Sequence, residues 1–222
     1  MAAAFTGFPP EAFDFYERLE ADNDREFWTA NKPDYERLVR QPMEALCDEL
    51  VEFGTFHLYR PYNDMRFAKG RPPYKTHQGA FTQGPEGGGH YVQISADGLM
   101  AAAGHYVMAR DQLDRFRNAV DDPALGAEIA DLADGLVGSG YEIGAHETLK
   151  TAPRGFPKDH PRVELLRRKG LMAWRSWPVA RWMYGREAIR RVRGVFADVA
   201  PMAAWLDRHV GPSELPADRM GR

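Results

Sequence analysis

The sequence predicts an α+β fold in which helices pack on a mostly antiparallel sheet within a single domain. Three observations support this class. Apolar side chains between residues 10 and 53 recur at three- and four-residue steps, as they do on amphipathic helices. The middle of the chain changes to alternating spacing, which is typical of strands, and helical spacing then returns from residue 109 onwards. Helix, sheet and helix in that order, without an internal repeat or a linker, favours the α+β class.

The N-terminal region predicts consecutive helices. The run PPEAFDFYERLE places Phe13 and Leu19 on one helix face, and its prolines suit a first helical turn. Any residue of the Asp-Asn-Asp run at 22–24 can cap the following helix. The next helical stretch runs to Gly54, and Pro42 predicts that it is kinked or divided there.

The middle of the chain predicts strands. The aromatic-rich run FHLYRPY (56–62) is the first, and HYVQISA (90–96) alternates polar and apolar residues. GLMAAAGHYVM (98–108) follows, so Asp97-Gly98 predicts a two-residue turn between two hairpin strands. The glycine-rich run TQGPEGGGH lacks the Lys-Ser/Thr ending of a nucleotide-binding P-loop and predicts a flexible hairpin loop.

The second half returns to helices and adds two strands. ARDQLDRFRNAV and PALGAEIADLADGLVGSG predict helices, whereas YEIG and LMAWRSW predict strands. A long helical stretch follows from about Val179 to Val210, with an interruption expected near Pro201. We therefore expect one α+β domain over residues 1–210 and a loosely ordered tail over residues 211–222.

Composition excludes several classes of protein. A chain of 222 residues with 44% hydrophobic and 27% charged residues is typical of a globular protein with one core. No apolar run approaches the ~20 residues of a membrane span, and the N-terminus does not resemble a secretory signal. The single cysteine, Cys47, predicts a reducing cytoplasm. The net charge of −3 means that any contact with a polyanion must be a local patch.

One local patch is the stretch DMRFAKGRPPYKTHQGAF at 64–81. Its cationic residues are Arg66, Lys69, Arg71 and Lys75, with His77 able to join them near neutral pH. The Pro72-Pro73-Tyr74 run stiffens the backbone, whereas a mobile loop would more naturally contain glycine and serine. The alternative interpretation without a ligand is a solvated loop whose cations pair with nearby acidic side chains.

A second basic and aromatic cluster lies in LKTAPRGFPKDHP, again stiffened by proline. Its members are Lys150, Arg154, Phe156, Lys158 and His160. Two rigid loops that carry guanidinium and ammonium groups beside aromatic rings suit an anionic ligand with a flat or apolar part. Other chemistry has weaker support, because the histidines show no metal-ligand spacing and no Gly-x-Ser-x-Gly nucleophile motif is present.

The run RPYNDMRFAKGRPPYKTH (60–77) resembles the signature of the bacterial and fungal proteins grouped as domain-of-unknown-function family 2461. The likeness extends to FPPEAFDFYERLEADNDREFWTANKPDYE, to HYVQIS with the segment after it, and to LKTAPRGFPKDHPRVELLRRKG. The signature positions are Asp64, Arg66, Phe67, Lys69, Pro73, Tyr74 and Lys75. Asn63, Ala68 and Gly70 depart from the usual arginine, serine and aspartate, which places a catalytic role for Ala68 and Gly70 in doubt. The resemblance identifies hallmark residues and implies no activity.

The leading hypothesis is a cytoplasmic protein with a basic, aromatic-lined site for a phosphorylated or carboxylated small molecule. The predicted ligand-binding residues are Arg66, Lys69, Arg71, Tyr74, Lys75, Lys150 and Arg154. Asp64 is the candidate for proton transfer if the protein is an enzyme, which the sequence leaves open. No metal or other cofactor is predicted. Two alternatives stay open, namely nucleic-acid binding through the same patch and a scaffold domain in which the signature is structural.

Overall fold

The computed structural model describes residues 4–64, 70, 72–84 and 87–215. The α-helices are α1 (Pro10–Ala21), α2 (Arg25–Asp34), α3 (Gln41–Asp48), α4 (Arg110–Asp121), α5 (Pro123–Gly138), α6 (Val163–Leu166) and α7 (Glu187–His209). The strands are β1 (His57–Leu58), β2 (His77–Phe81), β3 (Gly89–Ser95), β4 (Gly98–His105), β5 (Glu142–Gly144) and β6 (Leu171–Trp177). A π-helical segment covers Tyr35–Arg40, and 3₁₀ segments cover Val51–Phe53 and Arg181–Tyr184.

The strands form one six-stranded sheet in the order β1-β2-β3-β4-β6-β5. β1 pairs with β2, β2 with β3 and β5 with β6, each in antiparallel register. The predicted α+β class with a mostly antiparallel sheet is therefore confirmed. Helices occur before, between and after the strands, as the change of apolar spacing along the chain predicted.

The predicted hairpin is present, but its turn lies one residue earlier than expected. Ala96 and Asp97 form the turn, and Gly98 opens β4 instead of belonging to the turn. Gly98 has a φ of 123°, which L side chains rarely adopt, and a Cβ there would lie 2.1 Å from the carbonyl oxygen of Trp177. Both constraints explain why glycine stands at this position.

β2 was not predicted, because HQGAF has no clear alternation and Phe81 is its single strong strand former. β1 is only two residues long, which is much shorter than the predicted strand at 56–62. The two differences are related, because β2 is paired on both sides, by β1 and by β3. These ladder hydrogen bonds give β2 its strand conformation where local sequence does not.

The N-terminal helices follow local sequence closely. Asp24 is the residue of the acidic run that caps α2, since its carboxylate accepts a hydrogen bond of 2.8 Å from the Phe27 amide. The expected kink or division at Pro42 coincides with a change of hydrogen bonding, because the π-helical segment Tyr35–Arg40 passes directly into α3 at Gln41, and Arg40 and Gln41 keep a helical backbone. A proline has no N–H to donate to the preceding turn, and the π-helical segment ends just before it.

The expected interruption of the last helix at Pro201 is wrong. α7 starts later than predicted, at Glu187, and continues through Pro201 to His209. A proline inside a helix removes one hydrogen bond and disfavours the helical conformation. The residues around it include the fully buried Val199, Met202 and Leu206, so burial of the apolar stripe stabilises the helix against that cost.

The chain forms two compact units. Unit 1 contains Met1–Thr82, Tyr91–Ala101 and Ser176–Gly194, and unit 2 contains Gln83–His90, Ala102–Arg175 and Val195–Arg222. The core of unit 1 is rich in phenylalanine from the N-terminal segment and α1, and that of unit 2 includes the edge-to-face pair Phe116–Trp205. In the described part of the chain, no helix is both long and apolar enough to cross a membrane.

The boundaries predicted for the domain and its tail stay predictions. Residues 216–222 of the predicted tail lie outside the described residues. Before them, the Ser213 hydroxyl and the Glu214 amide each donate a hydrogen bond of 2.8 Å to the Asp111 carboxylate. The first residues of the tail are therefore hydrogen-bonded to α4.

Candidate functional site

The signature stretch begins and ends in a short antiparallel ladder within unit 1. Tyr62 forms a β-bridge with Tyr74. The Asn63 amide donates to the Pro73 carbonyl at 2.9 Å, and the Lys75 amide donates to the Pro61 carbonyl at 2.8 Å. These bonds bring the chain on the two sides of the signature into register. Of the predicted ligands between them, Arg66, Lys69 and Arg71 lie outside the described residues.

Tyr74 anchors this ladder to the N-terminal helices. The Asn23 side-chain amide donates to the Tyr74 carbonyl at 3.0 Å, and its oxygen accepts from the Tyr74 amide at 3.1 Å. The buried Tyr74 ring stacks on Trp28, with ring centroids 4.5 Å apart and planes 11° apart. A buried, stacked ring positions the backbone of the signature, which is the contribution of Tyr74 that the geometry supports.

Lys75 is the predicted cationic ligand of the signature that the structure describes. Its ammonium donates to the Arg60 carbonyl at 2.9 Å and lies 5.0 Å from the centroid of the Tyr59 ring. Partial burial lowers the pKa of the ammonium, and the positive charge of Arg60 lowers it further. Among the described residues, no carboxylate forms an ion pair with Lys75. The charge is thus held in a partly desolvated place without a described counter-charge.

Lys75 lies at one end of a group of aromatic side chains on one face of the sheet. We call this group the aromatic face; its members are Tyr59, His77, Phe81 and Tyr91. The Tyr59 and Phe81 rings stack with centroids 4.8 Å apart, and Tyr59 lies 6.4 Å from Tyr91. The strand register places His77 opposite Ser95 and Phe81 opposite Tyr91, so the side chains of β2 and β3 share this face.

Gly79 gives the aromatic face its close packing. A Cβ at this position would lie 2.5 Å from the hydroxyl oxygen of Tyr91, so the Tyr91 ring lies directly over the backbone of Gly79. The same hydroxyl donates a hydrogen bond of 2.6 Å to the side-chain oxygen of Gln93. A side chain at Gly79 would displace the ring and its hydrogen bond.

The opposite face of β2 is buried against the N-terminal helices. Ala80 is fully buried there, and Gln78 is 1% exposed. The Tyr35 hydroxyl donates to the Gln78 side-chain oxygen at 2.5 Å, while the Gln78 amide donates to the carbonyls of Tyr59 and Gly79. A buried amide with these partners fixes β2 without an unsatisfied polar group on that side chain. The alternation of β2 therefore separates a structural face from the aromatic face.

His77 is a titratable member of the aromatic face. Burial lowers the pKa of its imidazole, and the neighbouring ammonium of Lys75 lowers it further. An anion close to both groups would relieve this destabilisation of charge. Asp64, the candidate for proton transfer, is half-buried next to the undescribed residues 65–69, and its catalytic role stays a prediction.

The second predicted cluster lies in unit 2. Lys150 and Arg154 are exposed and form no ion pair with another described residue. The loop that carries them is held at its start by two hydrogen bonds, from the Leu149 amide to the Arg167 carbonyl and from the Arg167 side chain to the Leu149 carbonyl. Since Lys75 belongs to unit 1, a pocket that joins the two clusters stays a prediction.

The sequence did not single out Tyr59 or Arg168. Tyr59 carries the ring next to Lys75. The alternation of side chains along FHLYRPY and HYVQIS could have placed it on the aromatic face, but only if β2 had been known to lie between these two segments in the sheet. Arg168 forms a β-bridge with Thr148, and its Nη1 is buried without a hydrogen-bond partner among the described residues. Burial lowers the pKa of this guanidinium. No pattern in the sequence indicates that it is buried.

Among the described residues, no group of three or more His, Cys, Asp or Glu side chains is arranged to hold a metal ion. Two of the histidines bond to acids in unit 2, because His105 lies 3.5 Å from Asp207 and His160 lies 3.1 Å from Asp121. The His160 Nδ1 also accepts a hydrogen bond from the Arg162 amide, so both of its ring nitrogens have partners. These hydrogen bonds make His160 a stabilising residue of the segment LKTAPRGFPKDHP, which carries the second basic and aromatic cluster.

Comparison with known proteins agrees with the resemblance noted from the signature. No curated protein matches the chain. The family model described as "Conserved hypothetical protein (DUF2461)" matches residues 11–205, which include the N-terminal helices, the signature stretch and most of α7. The chain belongs to the DUF2461 family of conserved hypothetical proteins.

Proposed function

We propose that the protein binds a small anionic molecule, phosphorylated or carboxylated, at Lys75 beside the aromatic face. The observation that supports this most is the environment of the Lys75 ammonium. It is partly buried, it lies near the cationic Arg60, and it has no carboxylate partner among the described residues. Removing a cation from water beside a like charge costs free energy, and a bound anion would offset that cost.

The other predicted ligands enter the proposal with less support. Arg66, Lys69 and Arg71 belong to the same signature, in the sequence between residues 61–63 and 73–75, which form the ladder. Lys150 and Arg154 are exposed cations without described ion pairs, in the second basic loop. If the bound molecule is also transformed, Asp64 is the residue we propose for proton transfer. The buried Cys47 fits our further proposal of a cytoplasmic location, where cysteines stay reduced.

A charge-neutral substitution tests the role of Lys75. Lys75→Gln removes the charge but keeps a donor for the Arg60 carbonyl, so that a loss of binding is separated from a loss of structure. We expect sulfate, phosphate or a carboxylate to raise the melting temperature of the wild type and to raise that of Lys75→Gln much less. Lys32→Gln, at an exposed lysine on α2, is the matched control and should respond like the wild type.

The same measurements separate the alternatives. A small ligand should lose affinity gradually with added salt, whereas a nucleic acid that releases many counterions should lose it steeply. A short oligonucleotide that stabilises the protein with a steep salt dependence would therefore favour the nucleic-acid alternative. If no anion raises the melting temperature of the wild type, the proposal fails and the scaffold alternative remains.

A further inference from the structure

We propose that His77 is a second ligand of the anion bound at Lys75 and that it takes up a proton when the anion binds. This inference rests on the proposed function, because it needs an anion at Lys75. It adds a binding residue and a dependence on pH. The anion would then be held between an ammonium and an imidazolium on the same face of the sheet.

The geometry places both groups on that face. Lys75 reaches it because its ammonium lies 5.0 Å from the centroid of the Tyr59 ring, and Tyr59 stacks on Phe81. His77 reaches it because β2 alternates, with the buried Gln78 bonded to Tyr35 on the opposite side. The Lys75 charge also opposes protonation of His77, which adds to the effect of burial on the pKa of the imidazole.

The charged groups around His77 give the direction of the effect. The residue opposite on β3 is Ser95, which does not titrate in this range. On the other side of β2, the Tyr59 amide donates to the Gly79 carbonyl, and a phenol ordinarily titrates near pH ~10. The positive charge of Arg60 lowers the pKa of Lys75. Among the described residues, Lys75 is therefore the charged group that acts on the imidazole, and burial together with the Lys75 charge lowers the pKa of His77 and favours its neutral form.

An anion between the two groups reverses this balance. Its negative charge offsets the field of Lys75 at the imidazole and supplies an acceptor for the ring N–H, so it favours the imidazolium. The pKa of His77 then rises on binding. Between the lower value of the free protein and the higher value of the complex, binding takes up a proton, and affinity increases as the pH falls.

Calorimetric titration with sulfate tests this inference, because sulfate itself does not titrate between pH 5.5 and 8. Titrations in two buffers of different ionisation enthalpy give the number of protons taken up. We expect more proton uptake near pH 6 than at pH 8, and an affinity that rises as the pH falls, by at most about tenfold per pH unit. His77→Gln should bind sulfate without proton uptake. The matched control is His57→Gln, at the exposed histidine of β1, and it should keep the uptake.

Direct observation of the imidazole makes the test independent of the variants. Histidine-selective NMR of the wild type should show the pKa of His77 below its ordinary value without sulfate and raised when sulfate is present. Sulfate binding without proton uptake, or with an unchanged pKa of His77, would overturn the inference and leave the proposed function standing. Absence of sulfate binding, together with absence of binding by phosphate and carboxylates, would overturn both.

Discussion

Asn23 lies away from the aromatic face, but the structure predicts that it determines the stability of the signature ladder. Its side chain donates to the Tyr74 carbonyl at 3.0 Å and accepts from the Tyr74 amide at 3.1 Å. Asn23→Ala removes both bonds and leaves two polar groups of a buried residue without these partners. At ~1 kcal/mol for each bond, and more where a buried group stays unsatisfied, we expect a loss of about 2–3 kcal/mol in the free energy of unfolding.

Urea denaturation followed by tryptophan fluorescence measures this loss, and Trp28 reports locally because it stacks on Tyr74. A loss of this size corresponds to a decrease of roughly 5–10 °C in melting temperature for a chain of this length. Asn23→Asp keeps the acceptor and loses the donor, so it should fall between the wild type and Asn23→Ala. Asn118→Ala is the matched control on the exposed side of α4 and should not destabilise. A loss below ~0.5 kcal/mol for Asn23→Ala, within the range of ordinary surface substitutions, would refute the anchoring role.

Two further predictions concern stability. The pKa of His77 is lowered in the folded protein, so the unfolded chain binds more protons below pH ~6.5 and stability should fall as the pH decreases through that value. His77→Gln should lose this part of the pH dependence when the free energy of unfolding is measured by urea denaturation between pH 5.5 and 8. An unchanged dependence of stability on pH would contradict the assignment. The Arg186 guanidinium donates to both carboxylate oxygens of Glu49 and to the Phe5 carbonyl. Arg186→Ala should therefore lower the melting temperature more than Arg181→Ala, which changes an exposed arginine without a described ion pair. It should also raise the lowered pKa of Glu49 towards its usual value. Equal melting temperatures for the two variants would contradict a structural role for the Arg186–Glu49 pair.

The sequence predicted the elements whose apolar spacing is set by burial. α1 buries a regular subset of its side chains and was recognised from that regularity, whereas β4, which is buried along most of its length, was recognised from the turn that joins it to the alternating β3. β2 escaped prediction because its strand conformation depends on hydrogen bonds to two neighbours, which are contacts distant in sequence. The spacing of apolar residues within HQGAF could not show that β2 has these two neighbours.

The candidate site was predictable in composition but not in its contacts. The density of cations between residues 64 and 77 singled out the region, and its role as a binding site stays a prediction. The acceptor for the Lys75 ammonium is a backbone carbonyl, that of Arg60, and every residue type supplies such a carbonyl. The ring beside Lys75 belongs to Tyr59, which lies outside the dense stretch, so spacing within the stretch could not identify it.

Five of the six residues from Tyr74 to Gly79 fall into two groups, and this division bears on the choice between a binding site and a scaffold. Tyr74, Gln78 and Gly79 are each explained by packing or hydrogen bonding, since they are respectively stacked, bonded on a buried face and covered by the Tyr91 ring. A purely structural signature would need only such residues. Lys75 and His77 differ, because burial disfavours the charged form of both, the charge of Arg60 opposes that of Lys75, and the charge of Lys75 opposes protonation of His77; no described carboxylate compensates them. A neutral side chain in place of Lys75 would serve the fold at a lower electrostatic cost, so the anion that we propose to contact Lys75 and His77 would give a physical reason for their presence together.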